Sequence, residues 1–164
     1  MNIHYSKLNI WQFLGNWTFA SKATLNLVLD YRNSPILTTS NALIGQTTGS
    51  INELKDSYSV SEIEDIASDR TARARLATIG ISSPLTERFQ ISSDLTVTDL
   101  SDSGSSAGVE GIVGTGAEYF YSLQLVGSNL IKPGDIAIFE ARYADADTTD
   151  TLSLSVNTRY TVNL

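Results

Sequence analysis

Few residues in this chain have the type and spacing to do chemistry. His4 is the only histidine, so any Ser-His-acid arrangement would have to be built on it, next to the N-terminus where ordering is hardest to achieve. A solvated terminal side chain is the plainer expectation. Cysteine is absent, which removes disulfides, thiol catalysis and thiolate metal sites together. Asp145, Asp147 and Asp150 are the one carboxylate group with metal-like spacing, a weak Ca²⁺ candidate, because hard oxygen ligands on nearby loop positions can wrap that ion. The group lacks the glycine and the distal glutamate of the helix-loop-helix calcium motif, and a solvated turn is the ordinary role of such acids. No phosphate loop, dinucleotide fingerprint, G-x-S-x-G or H-E-x-x-H is present. The sequence therefore predicts no catalytic residue, no cofactor, no metal and no enzymatic activity.

Charge narrows the partners. Net charge is -7, with residues 1–60 near neutral at +1 and the remainder at -8, and no basic stripe is available for phosphates. Nucleic acid is excluded as an expected partner. A membrane is set aside too, because no apolar run approaches the roughly 18 residues that a spanning helix needs, and the first 19 residues lack the charged start and unbroken apolar run of a signal peptide.

Most of the sequence alternates. Trp11, Phe13, Trp17 and Phe19 share one parity, so an extended backbone puts all four rings on one side. Leu25, Leu27, Leu29 and Tyr31 repeat the pattern, with Ser21 and Lys22 near the intervening turn, and Pro35 then stops the pairing. Residues 36–52 read as an extended connector rich in Thr, Ser, Asn and Gly. Ser61 and Glu64 fit a capping box, and acids followed by arginines suit a helix over about 61–79 that Gly80 closes. Beyond Pro84 come four runs of period two, the last reaching Tyr160 and Val162. Lys132-Pro133-Gly134-Asp135 has the order of a type II turn, and residues 101–108 read as a mobile exposed loop.

These elements predict a mainly β fold: an antiparallel β-sandwich or small barrel with an extended N-terminal arm and one short helix. The expected division is a hairpin arm and connector over 1–60, then helix plus sandwich over 61–164. The interface residues expected from the pattern are Trp11, Phe13, Trp17, Phe19, Leu25, Leu27, Leu29 and Tyr31. Four aromatic rings can bury about 600 to 1,000 Å², close to one partner's share of a standard interface. A monomer seldom leaves that much exposed.

Taken together, the Trp11–Tyr31 arm, the 36–52 connector and the acidic, cysteine-free β region of 89–164 resemble small structural proteins of tailed-bacteriophage virions. That resemblance implies a non-enzymatic virion component, a capsid decoration or cement protein, with neck, tail or baseplate components as its near relatives. It implies a homo-oligomer whose partners are other virion proteins, assembled in host cytoplasm. From a different class, a carbohydrate-binding β-sandwich module would use Trp11, Trp17 and the tyrosines as stacking platforms.

Overall fold

The computed structural model describes residues 9–159. Among them the chain forms seven strands: β1 (Ile10–Thr18), β2 (Thr24–Ser34), β3 (Ala72–Pro84), β4 (Phe89–Leu100), β5 (Gly116–Ser128), β6 (Ile136–Asp145) and β7 (Asp150–Arg159). They make one sheet in the order β1-β2-β3-β4-β5-β6-β7, each strand beside its neighbour in sequence. The mainly β, antiparallel expectation is met, and this open order suits either a sandwich layer or a barrel that has not closed.

The chain divides into two compact units that interleave along the sequence, so neither is bounded at residue 60. The first comprises 9–12, 30–75 and 99–116. Its regular elements include a 3-10 turn at Thr39–Leu43, α1 (Ile51–Leu54) and α2 (Val60–Asp69). Leu37, Ala42, Leu54, Ile63, Ile66 and Ala67 are its buried core, with Leu43, Ile51 and Tyr58 packed around them. Two expectations are corrected here. The connector over 36–52 is not merely extended, because isolated apolar residues such as Leu37 and Ala42 are core residues of this unit. The helix also ends at Asp69, where 79 was expected, and its capping box is Ser59 with Glu62. From Ala72 the chain is strand, because the polar Arg73, Arg75 and Thr78 and the branched Ile79 and Ile81 find ladder partners that outweigh the alanine-based helical stripe.

Residues 101–115 of this unit are tied down, which corrects the expectation of a mobile loop. Arg70 is buried, and its guanidinium donates to the carbonyls of Glu110 at 2.8 Å, Val109 at 2.6 Å and Ser106. Ser106 and Val109 also bridge each other, and Gly104 donates to the Asp69 carbonyl at 2.7 Å. The two terminal nitrogens of this buried cation thus satisfy three loop carbonyls without another charge, while its Nε finds no partner among the described residues.

The second unit comprises 13–29, 76–98 and 117–159, and is built of strand and short turns. Lys22 takes a φ of +64° between Phe19 and Ala23, where the expected β1–β2 turn lies. The Lys132–Asp135 turn closes with the Asp135 amide on the Lys132 carbonyl at 3.2 Å and Gly134 at a φ of +89°, the left-handed geometry that a type II turn asks of its third residue. Asp135 then accepts from the amides of Leu130, Ile131 and Lys132 at 2.7 to 3.0 Å. These bonds, the Lys132 amide foremost, hold its carboxyl below its ordinary range.

Candidate functional site: an amphipathic sheet face

Register separates the sheet of the second unit into two chemistries. Across β5, β6 and β7, Tyr121, Tyr143 and Leu152 stand in one row, Leu123, Ala141 and Leu154 in the next like-facing row, and Leu125, Phe139 and Val156 in a third. The rows between them read Ser122, Arg142, Ser153 and Gln124, Glu140, Ser155, flanked on the same side by Phe120, Ala144, Thr151 and by Val126, Ile138, Asn157. Because side chains alternate across a strand, the first set covers one face and the second set the other.

Hydrogen bonds extend the polar face to β4 and β3. Ser122 donates to Asp94 at 3.1 Å, Thr98 to Glu118 at 3.4 Å, and the Thr78 and Thr96 hydroxyls meet at 2.9 Å. Asp94 also lies over Gly80, where an added Cβ would come within 2.2 Å of its oxygen. On the same face Arg142 pairs with Glu140 at 2.7 Å, and Ser155 donates to Glu140 at 3.4 Å. In β1 and β2 the even residues again bond one another, since Asn16 donates to Asn26. Within the first unit Gln12 donates to Asp30 at 3.3 Å, and Asp30 is held below its ordinary pKa chiefly by its bond with Arg32.

The opposite face is apolar and open. Leu123, Phe139, Leu152, Leu154, Val156, Ile79 and Ile81 are all exposed, and none of the described residues of the second unit forms a second layer over them. A furrow of about 300 Å³ runs between Leu123, Leu125, Phe139, Leu154 and Val156. Aromatic rings mark both ends of this face. Tyr119, Tyr121 and Tyr143 sit toward the start of β5 and the end of β6, where the Tyr121 and Tyr143 centroids are 6.1 Å apart. Asp150 is the main reason the Tyr143 phenol titrates above its ordinary value, with burial and Asp145 adding to it. At the other end stand Trp17 and Phe19, where β1 closes, and Phe89, where β4 opens. Trp17 folds back over Gly15, so closely that an added Cβ would lie 2.3 Å from its ring.

The expected interface residues fall on the apolar side of their strands. Phe13, Trp17 and Phe19 are exposed, while Leu25, Leu27 and Leu29 are half-buried. In the first unit Trp11 and Tyr31 line a cavity of about 550 Å³ together with Asn33, Leu37, Ser68, Thr71 and Arg73. The N-terminal arm is thus a pair of sheet strands. Sequence reasoning missed Ile79, which fell in the segment taken for helix, and Ile81, which follows the Gly80 read as its stop, and it did not single out Leu123, Leu152 and Leu154 although their alternation was plain.

Asp145 and Asp150 end up opposite each other at the β6–β7 turn, with Asp147 in the turn itself. No three-residue group of His, Cys, Asp or Glu suited to a metal forms among the described residues. His4, Tyr160 and Val162 lie outside them. No protein-family model, curated protein or solved structure matches the chain.

Proposed function

We propose that this sheet is a section of the wall of a β-barrel that spans a lipid bilayer, with its apolar face on acyl chains and its polar face toward an aqueous lumen. One observation carries the reading: in a single sheet layer one face is exposed and apolar, mostly aliphatic with Phe139 among the leucines and valines, and has rings at both ends, while the middle rows of the other face, around Ser122 and Gln124, are hydrogen-bonded polar residues. Membrane barrels need that arrangement, since lipid rewards apolar side chains outward, water rewards polar ones inward, and amphipathic rings sit at the two interfaces.

The topology agrees. Turns 19–23, 85–88 and 129–135 join strands at one end of the meander, whereas the long connections 35–71 and 101–115 leave from the other, together with the short turn 146–149. Short turns at one end and longer loops at the other are the habit of such barrels. Length fits as well, because the ten residues of β6 span roughly 33 Å and, tilted by about 40°, cross an apolar band of about 25 Å. The rule that set membranes aside, an unbroken run of about 18 apolar residues, bears on helices only. None of the described helices is long and apolar enough to cross. A spanning strand needs half as many residues, every second one polar.

Closure takes at least one strand more than the seven described, as the smallest such barrels have eight. The activity this supports is that of a wall, an anchor or a passage, without catalysis. A neighbouring virion subunit, the occupant expected from the sequence, is the competing cover for the apolar face. It explains the exposed aliphatics but gives no reason for aromatic rims at both ends.

Because the chain has no cysteine, single cysteines at Leu123 or Leu154 and at Ser122 or Ser155 report each face separately. In vesicles, a water-soluble maleimide is expected to label the serine positions and spare the leucine positions. Protection of the leucine positions in a lipid-free soluble oligomer would favour protein cover and overturn the bilayer reading.

A further inference from the structure

On the polar face of the second unit, one residue differs from its surroundings. Phe120 is exposed on that side of β5, between Glu118 and Ser122 along its own strand. Its neighbours across the sheet are small. Ala144 on β6 is followed by Thr151 on β7, and on β4 the Ser122–Asp94 and Thr98–Glu118 bonds bring Thr96 beside it. Hydroxyls and one methyl group give a phenyl ring little apolar surface to pack against, and the aliphatic rows lie on the other side of the sheet.

The ring stands in a cavity of about 290 Å³, and the described residues that line it all belong to the second unit. The next row, roughly 7 Å along the strands, supplies hydrogen-bonding groups of both kinds. Ser122 donates to Asp94 at 3.1 Å, yet a carboxylate has about four acceptor sites and a hydroxyl oxygen two, so both keep capacity. Glu140 takes the Nε of Arg142 at 2.9 Å and its Nη2 at 2.7 Å. That pairing offsets the charge of Arg142 and leaves the Nη1 group as a donor. Ser153 adds a hydroxyl from β7. An offset cation beside a carboxylate does not favour an anion. A flat apolar ring next to mixed donors and acceptors favours a ligand with an apolar face and a rim of hydroxyls, because each hydroxyl both donates and accepts.

We propose that this cavity binds a neutral sugar, one pyranose ring whose C–H face stacks on Phe120 while its hydroxyls bond Asp94, Ser153 and the Arg142 Nη1. The negative face of the phenyl ring attracts the weakly positive C–H groups. At the small end of the range for ligand sites, the cavity suits a single ring held with a Kd on the order of millimolar. The inference does not rest on the bilayer reading, because the site lies on the face opposite the one that needs cover. Where that reading holds, the site opens on the lumen.

The test is saturation-transfer difference NMR on the full chain, in a detergent without a sugar headgroup. The probes are methyl β-glucopyranoside and methyl β-galactopyranoside, with sorbitol and choline as comparators. Sorbitol carries hydroxyls without the ring, and choline reports a cation held by Asp94 and the phenyl face. The expected result is saturable transfer to the ring protons of at least one pyranoside, and little to sorbitol or choline. Phe120→Leu should weaken that pyranoside about five- to tenfold, while Phe120→Tyr, which keeps the ring, should stay within about threefold. Should Phe120→Leu fail to fold, Ser153→Ala serves instead, with a loss of a few-fold expected. Absence of transfer to both pyranosides, equal transfer to sorbitol, preference for choline, or unchanged binding in the folded variants would each overturn the proposal. Cysteine labelling in vesicles is read separately, so the sugar site and the wall can fail independently.

Discussion

In the first unit Ile63 and Ala67 keep 1% and 0% of their surface in solvent, while in the second Leu152 and Leu154 stand 67% and 75% exposed. Both units are rich in apolar side chains, and only one of them has a core. The first brings α1, α2 and the 3-10 turn around six buried residues and fixes its long loop with the Arg70 guanidinium. The second places most of its large apolar residues on one side of a single sheet, and among its own described residues nothing covers them. Apolar content therefore does not measure self-sufficiency. What decides it is whether the chain supplies a second layer, and a sheet without one has to find its cover elsewhere.

The contrast predicts that stability responds differently in the two regions. The largest effect should come from Ile63→Ala, which empties a fully buried site and is expected to cost about 2 to 5 kcal/mol in denaturant unfolding of the full chain, in detergent or vesicles alike. Leu154→Arg should cost about 2 to 4 kcal/mol, but only when a bilayer is present, since the position lies midway along β7 on the apolar face. Equal cost in detergent-free buffer would erase the distinction between the units. Replacing Ser153 by Arg on the polar face is the matched control, with a change within about 0.5 kcal/mol.

Smaller tests sharpen the same line. Ser59→Ala removes the cap of α2, whose oxygen accepts from the Glu62 amide at 3.3 Å, and should cost about 1 kcal/mol while leaving the sheet's labelling pattern intact. The smallest effect is local and depends on pH. Asp135 has its folded pKa lowered from an ordinary 3.8, so its contribution is complete above that value and is lost as pH falls through the lower folded value. Amide exchange at Leu130, Ile131 and Lys132 should be flat from pH 7 to about 4, after correction for intrinsic rates, and should rise below that. In Asp135→Asn the protection should be weaker at neutral pH and lose its acid step.

Much of this architecture could be read from residue order. Leu25, Leu27, Leu29 and Tyr31 alternate with Thr24, Asn26 and Asp30, broken only by Val28, and the runs that became β4 to β7 keep enough of the same period to read as strands whatever covers their apolar side. Lys132-Pro133-Gly134-Asp135 announced its turn through local chemistry that no tertiary contact had to complete. The errors lie where two periods fit equally well. Ala74 and Ala77 continue the helical stripe of Ile63, Ile66 and Ala67, while Arg73 and Arg75 alternate with Ala72, Ala74 and Leu76 as a strand would, and long-range pairing decided for the strand. Ser59-Val-Ser-Glu-Ile-Glu64 holds two overlapping Ser-x-x-Glu boxes, so the register of the cap was two residues adrift. Leu37 and Ala42 are core residues without a periodic neighbourhood, and only contacts distant in sequence identify them.

The site was legible in part. That Trp11, Phe13, Trp17 and Phe19 share a side was visible from parity, whereas the nature of their cover was not, because lipid and protein select the same alternation. Aromatic rows at both ends of the face become visible only once β5 and β6 are in register, with Tyr121 opposite Tyr143.

The most direct test uses the two tryptophans, Trp11 and Trp17, which both lie on the apolar side of β1. Their fluorescence should be recorded in vesicles made with phospholipids brominated along the acyl chains, and in matched vesicles without bromine. The bilayer account predicts strong quenching by the brominated chains and little quenching by aqueous iodide. Emission that ignores the bromine and is quenched by iodide, or is shielded from both inside a soluble assembly, would contradict it.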